Sequence, residues 1–201
     1  MPAILVATKN AHKTAEIAAM LGSSWTVEDL TMHPNIAAPE ETGATFAENA
    51  TIKVRAAARL FPGLVLADDS GLEVDALNGE PGVFSARYAG PGSTDADNRA
   101  RLLRELRAFP SPARFRCVLV LAQGDRVLAT RDGAVEGAII NAERGVGGFG
   151  YDALFIPAGY TQTFAELPAA TKNQLSHRAR ALAAMRDFLI KSVDAPGAPQ
   201  R

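Results

Sequence analysis

The sequence predicts an α/β fold on a mixed sheet, and three observations carry that expectation. Helical patterns alternate with short apolar runs through the first half of the chain, the order that crossover helices between parallel strands produce. Two later apolar runs, separated by Gln123-Gly124-Asp125, form a hairpin pattern that adds antiparallel pairing. The chain has 201 residues, 47% hydrophobic and 21% charged, enough for one domain with a sizeable core.

Taken in order, Ala3–Ala7 is a short apolar run and reads as a buried strand. Thr8-Lys9-Asn10 breaks it, and Lys13–Leu21 reads as a helix ended by Gly22. Trp25–Asp29 suits a second strand. Leu30–Gly43 is a loop, punctuated by Pro34 and Pro39 and closing on Glu40-Glu41-Thr42-Gly43. Thr45-x-x-Glu48 is a capping box. Phe46, Ala50, Val54, Ala57, Ala58 and Phe61 follow at helical spacing until Pro62-Gly63 stops the helix. Leu64–Ala67 is a buried strand that runs into a turn at Asp68-Asp69-Ser70-Gly71. Leu72–Leu77 alternates apolar with acidic residues, as a strand with one wet face does.

Asn78–Gly92, rich in Gly and Pro, reads as a long loop, and Thr94–Arg107 as a helix with Leu102, Leu103 and Leu106 on its apolar side. Phe115–Ala122 and Arg126–Thr130 are the hairpin arms, and Ala134–Ile140 adds a strand. Gly145–Asp152 is a glycine-rich loop, Ala153–Ile156 a strand, and Gln174–Lys191 the last helix, with Leu182, Met185 and Leu189 at core spacing. Residues 1–191 thus form one domain. The Pro-, Gly- and Ala-rich tail 192–201 is expected to be disordered.

Composition excludes several classes. A formal net charge of −1 gives no basic surplus for a nucleic-acid backbone, so an anionic ligand must be met by local cations or a metal. Cys117 is the single cysteine, which rules out an internal disulfide, and its apolar surroundings suit a core thiol. The chain starts on a strand-like run without a signal-peptide pattern, and no apolar stretch reaches membrane-spanning length; a cytoplasmic protein with no membrane partner is expected. His12, His33 and His177 lack zinc-ligand spacing, and there is no nucleophile elbow.

Four constellations can carry chemistry. Thr8 to Lys13 lies between a strand and a helix start, where backbone amides and the helix dipole attract phosphate. Thr8 and Asn10 add neutral donors, and Lys9 and Lys13 add charge; a plain turn with solvated lysines fits the same residues. Asp68-Asp69 at a strand end suits magnesium, which takes few protein ligands, or else a solvated turn. Glu40-Glu41 can supply a second carboxylate or form an exposed acidic loop. Lys53 lies on the capped helix, where the pattern favours water. Gly145–Asp152 formally matches G-x-G-x-x-G, but no helix follows, so a dinucleotide fingerprint is rejected. Phe149 and Tyr151 among the glycines suggest a flexible loop presenting rings to a base. Ser176 suits an N-cap, placing His177 and Arg178 in a first helical turn, where cations are disfavoured unless an acceptor is near. Lys172 lies just before it.

The order of these motifs is specific. T-x-N-x-x-K at Thr8–Lys13, E-E-T-G at Glu40–Gly43, A-D-D-S-G at Ala67–Gly71, G-G-F-G-Y-D at Gly147–Asp152 and K-N-x-x-S-H-R at Lys172–Arg178 occur in one chain. From Ala3 to about Leu189 the sequence resembles the inosine/xanthosine triphosphate pyrophosphatases. The resemblance implies an elongated α/β fold with flanking helices and two lobes around a central cleft, usually in a homodimer. It implies hydrolysis of ITP, dITP and XTP to the monophosphate and pyrophosphate, with magnesium (Mg2+). By motif, Thr8, Asn10 and Lys13 would grip the triphosphate, with Lys9, Ala11 and His12 between them also in the substrate site, and Lys53 would meet phosphate. Glu40 and Asp69 would hold the metal, with Asp69 also the general base. Ser70 would touch the substrate, Phe149, Gly150, Tyr151 and Asp152 would frame the nucleoside, and Lys172, His177 and Arg178 would bind near the base. The role of Asp68 stays open: metal ligand, base, or partner to another side chain. Two other readings share the chemistry: a pyrophosphatase for modified pyrimidine triphosphates, and a module that binds triphosphates without hydrolysing them.

Overall fold

The computed structural model describes residues 1–194. Its six-stranded sheet has the order β2-β1-β3-β4-β5-β6, formed by β1 (Ala3–Val6), β2 (Thr26–Asp29), β3 (Leu64–Val74), β4 (Ser111–Gln123), β5 (Arg126–Ile139) and β6 (Phe155–Pro157). Strand β1 pairs in parallel with β2 and with β3, and β5 pairs antiparallel with β6. The two-residue turn Gly124-Asp125 joins β4 to β5, so these neighbours run antiparallel too. The expected mixed sheet is therefore present. Helix α1 (Ala11–Leu21) connects β1 to β2, and α2 (Phe46–Ala58) connects β2 to β3. Helix α3 (Asp95–Glu105) precedes β4, and α4 (Ala169–Leu175) and α5 (His177–Asp194) close the described chain.

Several boundaries differ from the sequence expectation. Asp68-Asp69-Ser70-Gly71 is not a turn, because β3 continues through it to Val74. Turn-forming residue types give way there to the extended conformation of β3, whose parallel pairing with β1 ends before them, at Leu66. The region 78–92 contains a 3-10 helix, Gly82–Arg87. The two strands expected within 126–140 are one, β5. The last helix is two: Ser176, extended at φ −66° and ψ 162°, separates α4 from α5. Its Oγ accepts the Ala179 N–H at 3.2 Å, the N-cap the sequence suggested. Residues 192–194, expected in the tail, belong to α5, and the rest of that tail lies outside the described residues.

The chain divides into two units. The first holds 1–68, 118–132 and the chain from Ala181. Its buried residues include Ile4, Leu5 and Val6 of β1, Ile17 of α1, Val54 of α2, and Leu182 and Met185 of α5. The second holds 69–117 and 133–180, with a core containing Leu72, Leu102, Phe115, Ile139, Leu154, Phe155 and Phe164. Phe115 meets Phe155 edge-on at 4.8 Å and stacks with Phe164 at 5.9 Å between ring centroids. The division falls between Asp68 and Asp69, within β3. Among the described residues no helix is long and apolar enough to cross a membrane.

Candidate active site

In the first unit, the site begins where β1 ends. Strand order reverses at β1: the chain passes outward to β2 and returns to pair β1 on its other side as β3. Ligands of α/β sheets collect beyond the carboxyl ends of strands at such a reversal. Val6 pairs with Leu66 and the Ala7 N–H donates to the Leu66 carbonyl at 2.8 Å, so the residues after Val6 run beside those after Leu66. Lys13 Nζ accordingly reaches Asp68 Oδ1 at 2.6 Å, with the Asp68 side chain fully buried. Asp68 thus has a definite partner on the loop that bears the phosphate motif.

The loop is shaped from within. Thr8 Oγ1 accepts the Asn10 N–H at 3.1 Å, and Asn10 Oδ1 accepts the His12 and Lys13 N–H groups at 3.0 and 3.2 Å. Asn10 is therefore the N-cap of α1, which starts at Ala11 rather than Lys13, and two amides expected to face phosphate are capped by protein. Lys9, Asn10, Ala11 and His12 are exposed.

Helix α2 carries the capping box the sequence predicted, Thr45 with Glu48. Lys53 corrects the expectation of a solvated lysine. It is 9% exposed and meets Glu41 Oε1 at 3.2 Å. Phe46, Asn49, Ala50, Lys53, Val54 and Ala57 form one buried stripe at helical spacing, so Asn49 and Lys53 share the apolar face. That placement was readable from the period, and the side-chain polarity obscured it. Glu40 is exposed.

The second unit holds the other residues nominated from the sequence. Asp69 is 6% exposed, next along β3 to Asp68 and facing the opposite side of the strand. Ser70 Oγ accepts from Arg178 Nη2 at 3.0 Å, and Arg178 is 1% exposed. The cation in the first turn of α5 thus has its acceptor. His177 lies flat against Phe115, 4.9 Å between centroids and 14° between planes. Sequence reasoning missed Phe115; its signal was the alternation Ala113, Phe115, Cys117 on the buried face of β4.

The glycine-rich loop is pinned, not flexible. Asp152 Oδ2 accepts the Phe149 N–H at 2.9 Å and Lys172 Nζ at 2.5 Å. Gly150 donates its N–H to Asp95 Oδ2 at 2.6 Å and accepts from Arg99 Nη1 at 2.8 Å. Tyr151 is buried and donates its hydroxyl to the Ser85 carbonyl at 2.9 Å, so it is a core ring and not one presented to a base. Burial, above all, pushes the pKa of its phenol up, so that it stays protonated. Phe149 stays half-buried, with Lys172 Nζ 4.9 Å above its ring centre. Gly148 is required by a close approach, since a Cβ there would stand 2.1 Å from Asp152 Oδ2.

The Ham1 family model matches residues 4–188. This chain belongs to the Ham1 family. It is 48% identical over 182 residues to the dITP/XTP pyrophosphatase of Halalkalibacterium halodurans, covering 89% of this chain and 94% of that one. It is 46% identical over 193 residues to the dITP/XTP pyrophosphatase of Geobacter sulfurreducens, covering 94% and 97%. Among solved structures, a HAM1 protein from Coxiella burnetii superposes with a TM-score of 0.84 at 38% identity, over 95% of this chain and 100% of that one. The dITP/XTP pyrophosphatase from Mycobacterium abscessus matches with a TM-score of 0.72 at 41% identity, over 91% and 98%. A Ham1-family assignment accords with the motif order found in the sequence.

Proposed function

We propose that this Ham1-family chain hydrolyses dITP, ITP and XTP to the nucleoside monophosphate and pyrophosphate, removing aberrant purine nucleotides from the cytoplasmic pool. The reading includes the homodimer and the elongated, cleft-bearing form that the resemblance implies. The observation that carries it is the Ser70–Arg178 bond, which fixes a buried guanidinium beside the residue that follows a buried carboxylate, Asp69. The names of its relatives, at 46–48% identity, support the substrate class.

Magnesium is the metal the donor set fits. Glu40 and Asp69 are hard oxygen donors, and among the described residues no three His, Cys, Asp or Glu side chains form an all-protein cage. Magnesium keeps several waters and asks for one or two carboxylates plus substrate phosphates. When bound, it would neutralise charge on the phosphate oxygens. Asp69 would accept the proton of the attacking water as its oxygen bonds to the α-phosphorus. The bond to the bridging oxygen of the β-phosphate breaks, and pyrophosphate leaves. Lys13 and Lys53 would hold phosphate charge by position, where most catalysis of phosphoryl transfer arises. Donors of His177 or Arg178 would meet the 6-oxo group of hypoxanthine or xanthine and mismatch the 6-amino group of adenine. Phe149 would lie against the base, and Lys172, held by Asp152, would border it.

Pyrophosphate release from a panel of purine and modified pyrimidine triphosphates, with and without magnesium, tests the activity and separates it from sensing. Asp69→Asn should fold normally, by circular dichroism, and lose turnover by about 10²-fold or more. Near-normal turnover would remove Asp69 from the chemistry.

A further inference from the structure

The acidic loop before α2 is tied to that helix at successive points. Glu41 meets Lys53 at 3.2 Å. The Gly43 N–H donates to Asn49 Oδ1 at 2.8 Å, and the Ala44 and Thr45 N–H groups donate to Glu48 Oε2 at 2.7 and 3.2 Å. Asn49 is the innermost of these anchors, with 0% exposure on the apolar stripe of α2. A Cβ on Gly43 would stand 2.7 Å from Asn49 Oδ1 and 2.9 Å from the Asn49 backbone nitrogen, so loop and helix touch with no room for a side chain.

An asparagine is a poor filler for this position. Its Nδ2 makes no hydrogen bond within the described chain, and a buried amide donor left so costs more than an apolar group of equal size. What the residue does supply is one acceptor, spent on the loop amide three residues after Glu40. Glu40 is exposed, and an exposed carboxylate on an untethered loop sweeps many positions. A metal tolerates ligand displacements of only a few tenths of an ångström.

We propose that Asn49 is a positioning residue for Glu40, acting through the Gly43 amide to hold the acidic loop where its carboxylate can bind the metal. The inference rests on Glu40 being a magnesium ligand. Three variants test it: Asn49→Ala, Gly43→Ala and Glu40→Gln. Each is titrated with manganese(II) in the absence of nucleotide, following the free-ion electron paramagnetic resonance signal, and each is melted. Gly43→Ala disturbs the same contact from the loop side, so it answers the question even where Asn49→Ala unfolds. Asn49→Ala and Gly43→Ala should each weaken manganese binding about tenfold or more, as loss of a ligand's support does. Glu40→Gln should weaken it as well, while the KM for ITP at saturating metal stays close to the parent value in the two loop-contact variants. A purely structural Asn49 would lower the melting temperature and leave metal affinity intact. Parental affinity in both loop-contact variants, with Glu40→Gln impaired, overturns the proposal. Parental affinity in Glu40→Gln overturns the Glu40 assignment itself, and the proposal with it.

Discussion

Arg178 shows how far a single buried residue can be pressed for function. At 1% exposure its guanidinium is costly to bury unless its donors are used, and one of them rests on Ser70. Arg178→Lys keeps the charge and loses the planar fork. Steady-state kinetics should show kcat/KM for ITP falling by about 10²-fold, with a smaller loss for the residual use of ATP, because a site built to pair an oxo group discriminates through that pair. Equal losses would take Arg178 out of base recognition. Tyr88 makes a different case, in stability. Burial, followed by its bond to Glu80, pushes its phenol up from 10 to about 12. The unfolded chain ionises near 10, so the contribution is complete below that pH and is lost as pH rises from 10 towards 12. Tyr88→Phe should flatten the alkaline limb of urea-derived stability across that window; an unchanged limb would mean that other groups set it.

The elements differ in how openly the sequence announced them. Helix α2 was legible because its capping box and apolar stripe agree, and both are present. The Asp68–Gly71 segment was misread because Asp, Ser and Gly are turn formers by type. Its strand conformation belongs to β3 as a whole, whose sheet neighbours β1 and β4 lie elsewhere in the chain, so no local pattern contains it. The same limit hid the Lys13–Asp68 and Phe115–His177 contacts, whose partners lie far apart in the chain. The break at Ser176 was half visible, as a cap without the helix before it. The five motifs named the family correctly because their order survives any error in element boundaries. In the loop before β6, Gly148 has a φ of +70°, and a Cβ there would invade the Asp152 carboxylate that takes Lys172. Gly148→Ala should cost about 1–2 kcal/mol in a urea titration from backbone strain alone. It should also lower kcat/KM for ITP, since the Phe149 turn must shift. Parental values for both would show that the loop yields without consequence.

For the molecule as a whole, each unit has a core built from apolar side chains. Chelation with EDTA should therefore stop pyrophosphate release while far-UV circular dichroism stays unchanged; unfolding on chelation would make the ion structural instead. The continuity of β3 carries one more implication, for insertions and deletions. Successive side chains on a strand face opposite ways, so a slip of one residue exchanges the two faces along the whole element. Asp68 and Asp69 are the same amino acid with opposite orientations, one spent on Lys13 and the other on the proposed chemistry. Losing one residue from Leu64–Ala67 would turn each carboxylate towards its neighbour's surroundings. Having two aspartates side by side is thus no reserve, and neither can serve as the spare of the other.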